Sequence, residues 1–162
     1  MKNVLKVTTV GDRELLITRE FEAPRGLVWE SMSRPELLKR WLFGPPGWAM
    51  TVCEEDQRVG GSFRWEWSGP EGAVLKMTGV YHEIVPPQRT VRTERFEMQG
   101  GPEMGEQLCT MTLIEIGERT RMELTVQYPS AEAREGALAS GMEQGMAIGY
   151  DRLDEIVRGV VA

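Results

Sequence analysis

With a single histidine, His82, the chain has no means of building a multi-histidine metal site. Its two cysteines, Cys53 and Cys109, lie far apart in strand-like segments, where buried reduced thiols are expected rather than a disulfide or a reactive centre. No stretch approaches 18 apolar residues, and the N-terminus is charged and broken at Gly11-Asp12 before a signal-like apolar run develops. A soluble, cytoplasmic protein is therefore expected. Positive charge is scarce as well: the net charge is -6, with acids and bases interleaved, so neither nucleic acid nor an anionic membrane is an expected partner. The HExxH, CxxC and GxSxG patterns, phosphate loops and dinucleotide fingerprints are all missing, and no cofactor or metal is expected. The acidic run Glu54-Glu55-Asp56 lacks the alternating ligands of a calcium loop and reads as a solvated strand end.

What is present is enough apolar residue, 41% of 162, for one domain, residues 1 to 162, with a real core. After "LKVTT" and a turn at Gly11-Asp12, "RELLITREF" reads as a strand that Ala23-Pro24 ends. A short helix then starts near Pro24. A second follows in "SRPELLKRWLF", with Ser33 and Glu36 spaced as a capping box, Met32 and Leu37 as its hydrophobic staple, and "GPPG" as its stop. From Trp48 to Tyr128 strand-length segments alternate with turns at Val59-Gly60-Gly61, Ser68-Gly69-Pro70, Pro86-Pro87 and Gly100-Gly101-Pro102, an antiparallel meander. Two strands show a buried face directly. Phe63, Trp65 and Trp67 alternate with polar residues, and so do Met122, Leu124, Val126 and Tyr128. Residues 72 to 84, 89 to 98 and 106 to 116 are strand-like with mixed alternation, and their inward faces stay unassigned.

The last segment reads as one helix of about 28 residues, roughly 42 Å long, capped by Ser130. Its apolar stripe is Leu138, Met142, Gly145, Gly149, Leu153, Ile156 and Val160, with Met146 at the edge. Gly145 and Gly149 sit at the centre of that stripe. Each costs about 1 kcal/mol relative to alanine, so something must compensate: close approach of the sheet, or space that a ligand fills.

"FEAPRGLVWESMSRPELLKRW", Gly44-Pro45, "DQRVGGSF", "GVYHEIVPPQR", "TRMELTVQY" and "GMEQGMAIGYDRLDEI", in this order and spacing, resemble the bacterial homologues of the eukaryotic activator of heat-shock chaperone ATPase. That family lies within the START-like (SRPBCC, birch-pollen-allergen-like) superfamily. The resemblance implies an α+β helix-grip fold, in which a curved antiparallel sheet wraps a long C-terminal helix, two short helices close one end, and a cavity lies between sheet and helix. It brings no catalytic signature, and Asp56 and Arg58 look structural, pairing near Gly60-Gly61. Many members have paired tryptophans and a Gly-Trp pair where this chain has Trp41-Leu42 and Gly145-Met146, so the cavity wall should be softer.

Together these features point to a chamber with few polar groups, suited to a small hydrophobic or aromatic ligand. Its expected lining is Trp41, Phe63, Trp65, Trp67, Met122, Leu124, Met142, Gly145, Met146, Gly149 and Tyr150. Two other classes stay open. A polyketide cyclase or hydratase would need an acid/base group in the cavity, His82 as the default candidate or a tyrosine. A co-chaperone or stress-related interaction domain would need an exposed apolar patch for a protein partner.

Overall fold

The strands expected from alternation form one antiparallel sheet in a computed structural model that describes residues 3 to 101 and 105 to 161; Pro102 of the expected turn lies outside them. Among these residues the strands are β1 (Lys6–Val10), β2 (Glu14–Phe21), β3 (Ala49–Glu55), β4 (Ser62–Ser68), β5 (Val74–Val85), β6 (Arg89–Met98), β7 (Glu106–Ile116) and β8 (Arg119–Gln127). Their order is β1-β2-β8-β7-β6-β5-β4-β3, so each hairpin lies beside its chain neighbour except where the two short helices intervene. Those helices are α1 (Arg25–Ser33) and α2 (Pro35–Leu38), and the chain ends in α3 (Ala131–Ala139) and α4 (Met142–Val161). This is an α+β helix-grip fold.

The core lies between the inner face of the sheet and the helices. β2 contributes Leu15, Ile17 and Phe21, β8 contributes Met122, Leu124 and Val126, and α4 contributes Leu153 and Val157, all buried. Phe63, Trp65 and Trp67 of β4 are buried while Ser62, Arg64 and Ser68 between them are exposed, as the two-residue period requires.

Three local expectations are corrected. Ser33 does not cap the second helix: it completes α1, where its hydroxyl donates to the Trp29 carbonyl at 2.6 Å, and Arg34 in extended conformation precedes Pro35. The proline disfavours helical backbone before it, which separates α1 from α2. The C-terminal helix is not continuous. Gly141 takes φ +84°, a conformation that ends α3 and lets α4 start in a new direction. Ser130 does cap α3, accepting from the Ala133 N–H at 3.0 Å. Finally, Val160 is 63% exposed, so the apolar stripe of α4 ends one turn earlier than its spacing suggests.

α4 is fixed to the sheet by charge as well as by apolar contact. Arg19, inward on β2 and 3% exposed, pairs with Asp151 at 2.8 Å and Asp154 at 3.3 Å. Asp154 also accepts from the Glu22 backbone N–H, Asn3 and Arg158. Burial alone would raise its carboxyl pKa, but the hydrogen bonds from Arg158, Glu22 and Asn3, with the charge of Arg19, hold it below the usual aspartate value. Because the folded pKa is the lower one, this contribution to stability is present above the unfolded value, about 3.9, and is lost as pH falls through the folded value. Thermal unfolding followed by circular dichroism should therefore show Tm dropping below pH ~4. Asp154→Asn should cost about 3 kcal/mol at pH 7 and flatten that acid limb. A variant with the parent's Tm at pH 7 would refute the anchoring role.

Candidate functional site

The strands without clear alternation hold the part of the interior that the sequence left unassigned. On β5 the inward residues are Leu75, Met77 and Tyr81; on β6 they are Thr90, Arg92, Glu94 and Phe96; on β7 they are Gln107, Cys109, Met111 and Leu113. A bulge between Tyr81 and Glu83 shifts the register of β5 and obscures the two-residue period. The interior is therefore not a chamber with few polar groups. Arg92 and Glu94 form an ion pair at 2.8 Å, and Gln107 donates to Glu94 at 2.9 Å. The Arg92 guanidinium lies 4.6 Å from the centre of the Phe63 ring and 4.9 Å from that of Trp65, so aromatic faces cover part of its charge. Burial alone would weaken the Arg92 cation; Glu94 first, then Tyr81, Cys109 and Glu55, together more than offset it, and the pKa rises.

Glu55, expected to be solvated, turns inward opposite Phe63 and is half-buried. Its carboxylate accepts from the Tyr81 hydroxyl, from Gln57, and from the Trp65 indole N–H at 2.7 Å. Asp56 and Arg58 do pair, at 2.9 Å, beside the Gly60-Gly61 turn. The signal that could have found the polar interior is the run Thr90, Arg92, Glu94 and Phe96, a period of two that includes charge and so escapes a search for apolar alternation.

The aromatic residues fall into two groups. Trp41 stacks on Tyr150 with centroids 5.6 Å apart, and the edge of Phe21 meets Tyr150 at 5.9 Å. Phe63, Trp65 and Trp67 form a second row, at 4.8 Å and 6.1 Å. Trp41, Phe63, Trp65, Trp67, Met122 and Leu124 are buried, whereas Met142, Gly145, Met146 and Tyr150 are half-buried. The two central glycines differ. A Cβ on Gly149 would touch the Trp41 ring at 3.7 Å, an ordinary contact, while one on Gly145 would have nothing within 4 Å. The Tyr150 hydroxyl has no hydrogen-bond partner among the described residues. Burial raises its pKa, so it remains a neutral phenol at physiological pH. His82 is exposed at the β5 bulge, away from these groups.

Two pockets open at the margins of this interior. One, about 310 Å³, is lined by Trp29, Ser33, Arg34, Pro35, Glu55, Gln57, Ile84 and Pro86. The other, about 330 Å³, includes Arg13, Thr93, Glu106, Gln107 and Tyr128. Neither is lined by the residues expected from the sequence to hold a ligand.

Both cysteines are free. Burial, then the Glu55 charge, pushes the Cys53 thiol to about 11, and burial with Glu94 raises Cys109 well above its ordinary value. Iodoacetamide at pH 8, followed by mass spectrometry, should modify the native thiols at least tenfold more slowly than those of the denatured chain. Rapid labelling of Cys53 would contradict the environment described.

No curated protein matches the chain. Solved structures do. A crystal structure of a protein from Rhodobacter sphaeroides is 31% identical, covering 96% of this chain and 99% of that one, with a TM-score of 0.88. A solution structure of a protein from Arthrobacter aurescens is 27% identical over 96% of this chain and 92% of that one, with a TM-score of 0.82. Protein Ms6760 from Mycobacterium smegmatis is 25% identical over 94% and 97%, with a TM-score of 0.80. Residues 22–158, from the end of β2 through most of α4, match the family described as Activator of Hsp90 ATPase homolog 1-like protein, and the chain belongs to that family.

Proposed function

We propose that the chain is a non-enzymatic binding module that takes a small apolar or aromatic molecule between the inner face of the sheet and the N-terminal half of α4. The observation that carries this reading is the change along the inner side of that helix. Leu153 and Val157 are fully buried, whereas Met142, Gly145, Met146 and Tyr150 are half-buried, with open space over Gly145. Four apolar or aromatic positions left incompletely covered, one to three turns before the fully buried Leu153 and Val157, suit a ligand more than a finished core. The Tyr150 hydroxyl adds an unpaired donor to this face, and Gly141 supplies a joint at which the first turns of α4 can adjust. An enzyme reading loses His82, which is exposed at the bulge, and is left with a tyrosine alone.

Gly145→Leu tests the proposal directly. Leucine would extend into open space and gain about 1 kcal/mol of helix propensity, so Tm should match or exceed that of the parent. Nile red, an apolar dye whose emission rises in dry surroundings, should bind the parent and bind the variant at least tenfold more weakly. Native mass spectrometry of freshly purified parent should also reveal a retained small molecule that the variant lacks. Unchanged dye binding in a stable Gly145→Leu protein would defeat the proposal, and a strongly destabilised variant would show that the space is already filled.

A further inference from the structure

The pocket at the α1–α2 end of the sheet shares no lining residue with the face of α4 considered above. Its floor is Glu55, a carboxylate that collects three hydrogen-bond donors and yet has no cation within ion-pair distance among the described residues. Every other inward-facing acid described above has such a cation: Glu94 has Arg92, and Asp154 has Arg19 and Arg158. The donors are neutral, so they hold the carboxylate in place without cancelling its charge, and Arg92, the interior cation that acts on it, does so from beyond ion-pair distance while paired with Glu94. The walls are apolar and aromatic: Trp29 on α1, Pro35 at the start of α2, and Ile84 and Pro86 at the end of β5. The Ser33 hydroxyl is committed to the Trp29 carbonyl. Arg34 stands at the rim, but its charge is matched by Glu36 at 2.7 Å, and its side chain is 57% exposed.

We propose that this pocket binds an organic ammonium group carried on a compact apolar body, with Glu55 as counter-ion and the Trp29 ring as one wall. An ammonium brings the charge that the neutral donors do not supply, and an indole face attracts a cation more strongly than other aromatic rings do. A carboxylate ligand would meet Glu55 as a like charge, and a neutral alcohol would leave that charge unbalanced. The volume, about 310 Å³, sits at the small end of ligand pockets, which limits the body to a single ring or a short branched chain.

Three probes of matched shape separate these cases: 2-phenylethylammonium, 2-phenylethanol and 3-phenylpropionate. Each is titrated into the full chain at pH 7 and low salt, with binding followed by chemical-shift changes of the Trp29 indole N–H and of the backbone around Ser33, Gln57 and Ile84. The ammonium should bind at least tenfold more tightly than the alcohol, and the carboxylate should bind most weakly. Glu55→Gln should reduce the ammonium preference to less than twofold. Arg34→Ala changes only an exposed rim pair and should strengthen ammonium binding two- to threefold, so the proposal remains testable even if Glu55→Gln fails to fold. Equal binding of ammonium and alcohol, preference for the carboxylate, or shifts confined to residues outside this pocket would each overturn it. The dye experiment on Gly145 addresses the other end of the interior, so either reading can fail alone.

Discussion

The pairing of buried Arg19 with Asp151 at the surface and with buried Asp154 is the constraint on which the position of α4 depends. The Arg19 side chain is 1% exposed and that of Asp154 is 6%, so each is sheltered from water and has to be satisfied by the other. Removing one partner of such a pair costs about 3 to 5 kcal/mol because it strands the remaining charge. The shared network with Asn3, Glu22, Arg119 and Arg158 joins the start of the chain, the end of β2, the start of β8 and the helix in one place. With its middle held there and Leu153 and Val157 packed beside it, α4 has little freedom toward its C-terminal half. The first turns of α4, by contrast, carry no fully buried apolar side chain.

The sheet supplies the matching constraint from the other side. At Gly79 on β5 a Cβ would fall 1.8 Å from the Thr93 carbonyl oxygen and 2.5 Å from the Phe63 ring, distances that no side chain can occupy. The strand therefore approaches its neighbours more closely there than any other residue would permit. Phe63 fills the space so released and carries the aromatic row of β4 with it. That row in turn makes the Arg92–Glu94 pair tolerable within the interior, since two ring faces lie under the guanidinium while Gln107 completes the carboxylate.

The sequence disclosed those elements whose physics is local or whose burial has one sign. β4 and β8 bury one apolar face each, and a period of two is visible without any knowledge of what covers them. Element order, the Ser130 cap and the Gly11-Asp12 turn were legible for the same reason. The inward face of β6 was not, because Arg92 and Glu94 are interior by virtue of each other, and neither alone signals burial. Glu55 was misread through its neighbours Glu54 and Asp56: three acids in a row look solvated, although alternate residues of a strand face opposite ways. The helix break was hidden by the wealth of glycines around it. Ser140 and Gly141 resemble the other small residues of the segment, and the conformation of Gly141 depends on α3 being held separately. Buried Arg134 holds it by donating to the Gly11 and Glu14 carbonyls.

Each glycine of the C-terminal segment thus answers to a different cause. Gly136 is exposed and meets nothing, Gly141 turns the chain, Gly149 lets the Trp41 ring lie against the helix, and Gly145 faces open space. Gly136, Gly145 and Gly159 all weaken a helix without a visible structural return, since an alanine at each would fit and would add about 1 kcal/mol, but of the three only Gly145 is half-buried. Gly145 lies on the incompletely covered part of α4, five residues before Tyr150 and next to Met146, whose flexible side chain adapts to varied shapes. A weakness placed on the half-buried first turns, on a helix anchored near its middle by Arg19, is the local condition on which the proposed binding reading rests.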